Sequence, residues 1–250
     1  MKNIRILLSF SIIVIAISVF IGCVSFSISK KPFEVGGNVN TAKIILIGEE
    51  HAVDWIIDIQ IERWRHYYVN EGLRHLFIEV GYFTGQFLNL WMKSDNDDIL
   101  NSIFEDIRGT LADNPVVHEF YRRIKREFPK TIFHGVDVGH QYSTTGERFL
   151  NFLIETGLQN TEKYILTKES IEQGRKFYET LSLEYRVNMM ANNFIREFDN
   201  LGNTKVMGIF GTSHTNFNRN ISGSIPTMAR LLRNHYGDII YFENYRNSRR

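Results

Sequence analysis

Five short apolar segments alternate with longer, more polar segments along the chain. Each apolar segment is rich in Ile, Val or Phe and lacks strict alternation of apolar and polar positions, which is typical of parallel strands buried on both faces. We therefore predict strands at residues 42–48, 75–80, 131–138, 205–211 and 238–244.

The segments between these strands have apolar residues at helical spacing. In residues 53–70, for example, Ile56, Ile59, Trp64 and Tyr67 lie near one face of a helix. The other predicted helices cover residues 84–107, 115–127, 146–156 and 182–200, and Pro115 suits the first turn of one of them.

Strands that alternate with helices indicate the α/β class, with a mainly parallel central sheet flanked by helices and joined by right-handed crossovers. Residues 139–204 contain at least two predicted helices and no clear strand. We expect this interval to be a helical insertion over the carboxyl ends of the strands.

The N-terminal segment differs from the rest of the chain. After Lys2 and Arg5 it carries no charge until Lys30, and its apolar run is long enough to span a bilayer. We therefore divide the chain into an N-terminal signal or anchor segment, residues 1–31, and a single α/β domain, residues 32–250.

Two interpretations of residues 1–31 remain open. The segment is either an uncleaved signal anchor or a secretory signal, in which VFIGC is similar to a bacterial lipobox that would lipidate Cys23. Both predict a domain tethered to the cell membrane on its extracytoplasmic face. Cys23 is the only cysteine, so the fold cannot contain an intrachain disulfide bond.

The charge of the predicted domain gives no reason to expect nucleic-acid binding. The chain has 29 basic and 28 acidic residues, and Lys2, Arg5, Lys30 and Lys31 belong to the N-terminal segment. The remaining 25 basic residues leave residues 32–250 with a net charge of −3, so the domain as a whole is not basic.

Carboxylate or imidazole side chains occur at the carboxyl ends of the first four predicted strands. They are Glu49 and His51 at the first strand, Glu79 at the second, Asp137 and His140 at the third, and His214 at the fourth. In open parallel α/β sheets, ligands bind beyond the carboxyl ends of the strands. We therefore expect these side chains to meet in one site.

Glu79 is the most informative of these residues because it lies inside the apolar sequence LFIEVGY. A buried carboxylate costs several kcal/mol unless it is paired or coordinated. The chain has no Gly-x-Ser-x-Gly elbow, phosphate loop, dinucleotide fingerprint or His-Glu-x-x-His motif. What remains is a cluster of His, Glu and Asp suited to activating water, directly or through a metal ion.

The order of five motifs, LIGEEH, LFIEVGY, FHGVDVGH, YRVNMMANNF and GIFGTSHTN, covers residues 43 to 217. It resembles the superfamily that joins erythromycin-esterase-like proteins, ChaN-like haem-binding lipoproteins and Tiki/TraB-like metalloproteases. The resemblance implies that Glu49, His51, Glu79 and His214 line one pocket. It also implies that Arg186 faces the same site from the helix that carries Asn193.

We predict a hydrolase of ester or peptide bonds that acts on a small molecule or a peptide. His51 would be the general base, oriented by Glu79 or Glu49. His214 would polarise the scissile carbonyl or share the base role, and Arg186 would stabilise the oxyanion. We assign Tyr82, His140 and Asn193 to substrate binding.

Two alternatives use the same residues. In the first, a divalent ion such as Mn, Co or Zn is held by His51, His214 and one or two of Glu49, Glu79 and Asp137. In the second, the protein is a surface lipoprotein that binds haem or iron without turnover, and Tyr82 is the available tyrosine. A chelator or a haem titration would separate these alternatives from the metal-free hydrolase.

Overall fold

The computed structural model describes residues 31–202 and 204–247. Its strands, numbered in chain order, are β1 (Glu34–Gly36), β2 (Ile44–Glu49), β3 (His75–Gly81), β4 (Ile132–Asp137), β5 (Val206–Gly211), β6 (Asn220–Ser222), β7 (Ile225–Pro226) and β8 (Ile240–Asn244). Its α-helices are α1 (Asp54–Asn70), α2 (Tyr82–Trp91), α3 (Asp98–Asp106), α4 (Pro115–Glu127), α5 (Glu147–Glu155), α6 (Glu162–Thr180), α7 (Leu183–Asn200), α8 (Thr212–Thr215) and α9 (Met228–Tyr236).

The central sheet has the strand order β1-β8-β2-β5-β3-β4. Strands β8, β2, β5, β3 and β4 are parallel to their neighbours, and only β1 at the edge is antiparallel. The α/β class and the mainly parallel sheet are therefore confirmed. The short strands β1, β6 and β7 have two or three residues each and no long apolar run, so the sequence pattern did not predict them.

The sheet is buried on both faces, as its apolar sequences predict. In β2, Ile45 and Ile47 belong to one cluster of buried side chains, whereas Ile44 and Leu46 belong to another. The first cluster includes residues of α1, α2 and α4, and the second includes residues of α7 and α9. Neighbouring residues of a strand point to opposite faces, so one strand supplies both layers of the core.

The helix predicted for residues 84–107 is two helices in the structure, α2 and α3. The chain leaves the helix after Trp91, and a polar segment with Ser94, Asn96 and Asp97 follows. Such side chains compete with helical hydrogen bonding, and here Asp97 Oδ1 accepts a 2.9 Å hydrogen bond from the Trp91 indole. Helix α4, in contrast, begins at Pro115 as predicted.

The interval 139–204 covers one end of the sheet. It contains a π-helical turn, Tyr142–Gly146, followed by α5, α6 and α7. Helix α6 lies against the carboxyl ends of β3 and β4. A Cβ atom built on Gly81, the last residue of β3, would lie 3.3 Å from Ser170 Oγ of α6 and 3.0 Å from the Cα atom of Gly139, which follows β4. The helical insertion expected at this end is therefore confirmed.

Gly174 permits the close approach of α6, which gives a first prediction. A Cβ atom at Gly174 would overlap the backbone carbonyl oxygen of Gly139. Alanine favours a helix interior by about 1 kcal/mol over glycine, whereas overpacking costs about 1–3 kcal/mol. We expect Gly174→Ala to lower the free energy of unfolding in urea. The exposed control Glu179→Ala on the same helix should stay within about 0.5 kcal/mol of the wild type.

Within the described residues, no helix combines the length and apolar character needed to cross a bilayer. The predicted signal or anchor segment and Cys23 lie outside the described residues, except for Lys31.

Candidate active site

A cavity of about 460 Å³ lies at the carboxyl ends of β2, β3 and β4. Helices α1 to α4 supply about half of its apolar lining residues. The charged and imidazole side chains of the lining are Glu49, His51, Glu79, Asp137, His140 and Arg186. The strand-end residues singled out in the sequence therefore converge here, with the exception of His214.

His51 is oriented by Glu49. Its Nδ1 lies 2.8 Å from Glu49 Oε1, and the other oxygen of Glu49 accepts a hydrogen bond from Gln60. Since a carboxylate only accepts, a neutral His51 must carry its proton on Nδ1, which leaves Nε2 as an acceptor. Of the two carboxylates predicted to orient His51, Glu49 and Glu79, the structure places Glu49 in contact with it.

The chain turns sharply after His51. Ala52 has a φ of 57°, which is uncommon for a residue with a Cβ atom. Gly211, at the end of β5, lies beside His51 and Glu79: a Cβ atom built on it would be 3.2 Å from His51 Nε2 and 3.4 Å from Glu79 Oε2. His51 and Glu79, distant in sequence, therefore lie at the same point of the sheet edge.

Glu79 and Asp137 share one arginine. Arg186 Nη2 lies 2.8 Å from Glu79 Oε1 and 2.5 Å from Asp137 Oδ2, and its Nε lies 3.0 Å from Asp137 Oδ1. The backbone N–H of Gly211 donates to Glu79 Oε2 at 2.6 Å. His140 Nε2 is 3.0 Å from Asp137 Oδ2. Arg186 is thus bound to two carboxylates, which leaves it no unbalanced positive charge for an oxyanion.

His214 contacts Glu79 of this cluster from the protein interior. Its Nε2 lies 3.4 Å from Glu79 Oε1, its side chain is only 3% exposed, and it does not line the cavity. The structure brings His214 to Glu79, as the predicted pocket requires. Since His214 contacts Glu79 and does not line the cavity, its role at a scissile carbonyl stays a prediction.

The surroundings keep Glu79 and Asp137 ionised. Burial alone would raise the pKa of Glu79, but His214 and Arg186 outweigh it and lower that pKa to about 2. Arg186 and His140 likewise lower the pKa of Asp137 against the effect of burial. Glu79 therefore stabilises the fold above its ordinary pKa of 4.5, and this contribution is lost as the pH falls toward 2.

His51 has the opposite shift. The hydrogen bond to Glu49 is the largest influence and raises the pKa of His51 from 6.5 to about 9, although burial opposes it; the charges of Glu49 and Glu79 also raise it. His51 Nε2 is consequently a strong base, available for proton transfer once the pH approaches 9.

Two residues assigned to substrate binding do not line the cavity. Tyr82 is buried at the start of α2, where burial and the nearby Glu197 raise its pKa. Asn193 is buried too, and its side chain exchanges hydrogen bonds with Gln173 and donates to the carbonyl of Val136. The structure therefore places both side chains in the interior and not in the cavity, and their role in substrate binding stays a prediction. Tyr82 is for the same reason not available to a haem in the cavity.

His140 does line the cavity, with its Nδ1 2.9 Å from the Tyr178 hydroxyl. Its role in substrate binding stays a prediction.

The donor set does not fit the predicted divalent metal ion. Among residues 31–202 and 204–247, no group of three or more His, Cys, Asp or Glu side chains is arranged to hold one. The guanidinium of Arg186 lies between Glu79 and Asp137, where the ion would need their free oxygens. Glu49 binds His51 and Gln60 instead.

Sequence analysis missed several polar residues of the cavity lining, among them Gln60 and Tyr121. Gln60 could have been noticed, since it lies one turn from both Ile56 and Trp64 on the buried side of α1, where a polar side chain needs a partner. Tyr121 gave no such signal, because an aromatic residue on an amphipathic helix is ordinarily part of the core.

Neither the scan of protein-family models nor the search of curated proteins matched this chain. Solved structures do match. A mutant of the erythromycin esterase EreC in its open conformation superposes with a TM-score of 0.56 at 13% identity, covering 81% of this chain and 69% of that one. This chain has the fold of an erythromycin esterase.

A succinoglycan biosynthesis protein matches with a TM-score of 0.58 at 12% identity, over 81% of this chain and 65% of that one. The chain thus spans about two thirds of the length of these two structures. Haem-binding ChaN of Campylobacter jejuni matches at a TM-score of 0.45 and 13% identity, over 84% of each chain, which is too low to support an argument. The resemblance predicted from the motifs is confirmed at the level of the fold.

Proposed function

We propose that this protein is a hydrolase of ester or peptide bonds in which His51, oriented by Glu49, activates a water molecule. The observation that carries the proposal is the 2.8 Å contact between His51 Nδ1 and Glu49 Oε1 in the lining of a largely apolar cavity. A base and the group that orients it, next to space for a substrate, are the arrangement that general-base hydrolysis requires.

The steps follow from the tautomer of His51. Nε2 takes a proton from the water, the water oxygen attacks the carbonyl carbon, and Glu49 stabilises the imidazolium that forms. The imidazolium then returns the proton to the leaving group. Glu79, Asp137 and Arg186 form an ionic cluster beside the base; the charge of Glu79 raises the pKa of His51, and that of Arg186 lowers it.

The cavity favours a substrate with an apolar body and no negative charge. Side chains such as Ile103, Phe104 and Val117 line the cavity from α3 and α4. The polar part contains three carboxylates against Arg186 and, below about pH 9, the protonated His51, so its net charge is negative and does not favour an anion. Haem, whose propionates are anionic, fits this cavity less well than a neutral ester does.

We further propose that residues 1–31 tether the domain to the extracytoplasmic face of the cell membrane. The proposal rests on the long uncharged run that follows Lys2 and Arg5. Cell fractionation tests it: the full-length protein should sediment with membranes. Recovery of the wild type in the cytoplasmic fraction would contradict it.

The pH dependence of turnover tests the catalytic proposal. With a panel of 4-nitrophenyl esters and subtraction of uncatalysed hydrolysis, kcat/KM should rise with pH to a midpoint near 9, because only neutral His51 accepts a proton. In Glu49→Gln the midpoint should move toward the ordinary value of 6.5, since the main cause of the raised pKa is gone. The limiting rate should also fall, because the imidazolium loses its counter-charge.

An unchanged midpoint in Glu49→Gln would contradict the His51–Glu49 pair as the catalytic base. If no ester or peptide is hydrolysed and haem addition produces a Soret band, the protein is a haem-binding protein and the hydrolase proposal is wrong.

A further inference from the structure

Tyr121 on α4 lines the cavity. Its ring is held among aromatic side chains, with centroid distances of 5.9 Å to Phe133 and 6.2 Å to Phe104. Among the described residues, the Tyr121 hydroxyl has no hydrogen-bond partner. It is also not one of the fully buried polar atoms that lack a partner, so it retains some solvent exposure. A rigid ring thus presents an unpaired donor to the cavity.

Tyr121, His51 and Glu49 line the same cavity. Burial and, after it, the charge of Glu49 raise the pKa of Tyr121, so the phenol keeps its proton over the working pH range. Both oxygens of Glu49 are already engaged, one with His51 and the other with Gln60. The phenolic proton is therefore free for a ligand.

Attack of water on a carbonyl creates an oxyanion, and a donor aimed at that oxygen is commonly the largest single contribution to catalysis. Arg186, expected from the sequence to supply it, is bound to Glu79 and Asp137. Tyr178, another phenol of the lining, is paired with His140. Tyr121 has no such competing bond.

We infer that Tyr121 is a further catalytic residue, whose hydroxyl donates a hydrogen bond to the carbonyl oxygen as it becomes the oxyanion. The inference rests on the proposed hydrolase function. The proton stays on the phenol throughout: His51 moves the proton of the attacking water, and Tyr121 stabilises the charge that develops on the other oxygen.

Tyr121→Phe in the full-length protein tests this role, since it removes one oxygen and keeps the ring. We expect kcat to fall by about 10²–10³-fold, the loss typical of removing one oxyanion donor, with KM within threefold of the wild type. The melting temperature should not fall, because no internal hydrogen bond is lost. The pH midpoint of kcat/KM should stay at its wild-type value, because the His51–Glu49 pair is untouched.

Tyr164→Phe is the matched control, as Tyr164 lies on α6 and does not line the cavity; it should keep wild-type kcat. The loss in Tyr121→Phe should be equal for 4-nitrophenyl and ethyl esters, which pass through the same oxyanion. A loss confined to ethyl esters would place Tyr121 at the leaving group and overturn the inference. So would a lowered melting temperature or a shifted midpoint, which indicate structural support.

His51→Ala, measured in parallel, separates the two proposals. If His51→Ala loses turnover and Tyr121→Phe keeps it, the oxyanion role is wrong and the hydrolase proposal stands. If the wild type hydrolyses no ester or peptide, both are wrong.

Discussion

Replacing His51 with alanine should lower kcat on any ester or peptide that the protein hydrolyses by about 10²–10⁴-fold, the contribution typical of a general base. The side chain is about half exposed at the cavity, and its contact with Glu49 lies at the surface. Its loss should therefore change the melting temperature little. The measurement is steady-state turnover at pH 9, where His51 Nε2 of the wild type becomes available as a base.

His235→Ala is the matched control, because His235 is an exposed histidine on α9. It should keep wild-type turnover. A chelator should also leave turnover unchanged, since Arg186 already occupies the carboxylates that an ion would need. Full activity in His51→Ala, or loss of activity on chelation, would contradict the metal-free general-base mechanism.

The position of the site could be predicted because parallel strands place all their carboxyl ends at one edge of a sheet. The apolar runs located β2, β3, β4 and β5, and the polar residues that follow each run then had to meet. The Gly-x-x-His motif shows that a short motif has to be placed at the amino or the carboxyl end of a strand before a role can be assigned to it. The motif occurs at 48–51, 72–75 and 211–214, but His75 is the first residue of β3, at the amino end of the strand, where it hydrogen-bonds His134 and does not line the cavity.

The sequence could not predict which residues on one face of a helix reach the cavity. Arg186 and Asn193 share one face of α7, but seven residues of helix separate them by about 10 Å. Arg186 reaches the cavity, whereas Asn193 lies beside β4 and bonds to Gln173 and the carbonyl of Val136. Where the cavity ends depends on how α6 packs, which the sequence of α7 does not encode.

The sequence also could not predict which carboxylate of the cluster contacts His51. Both Glu49 and Glu79 were candidates to orient His51, and the spacing along the chain does not distinguish them. The structure pairs Glu79 with Arg186 and the Gly211 backbone, which leaves Glu49 for His51. Arg186 therefore determines indirectly which carboxylate contacts His51, by holding Glu79 in place.

Replacing Arg186 with methionine should accordingly be the most destabilising substitution at this site. The side chain of Asp137 is fully buried and that of Glu79 is 15% exposed, and both would lose their shared counter-charge. Removing one partner from a buried ion pair costs about 3–5 kcal/mol, whereas an exposed pair contributes about 0–1 kcal/mol. We expect a loss of about 3–5 kcal/mol in the free energy of unfolding, measured in urea at pH 7.

The exposed pair Arg175–Glu172 supplies the control: Arg175→Ala should cost less than about 1 kcal/mol. Adding Asp137→Asn to Arg186→Met should recover part of the loss, because the variant then buries one uncompensated carboxylate fewer. The gap between wild type and Arg186→Met should also narrow as the pH falls from 4.5 toward 2, where Glu79 takes up a proton. Equal losses for Arg186→Met and Arg175→Ala would show that the cluster is hydrated in solution and does not organise the cavity.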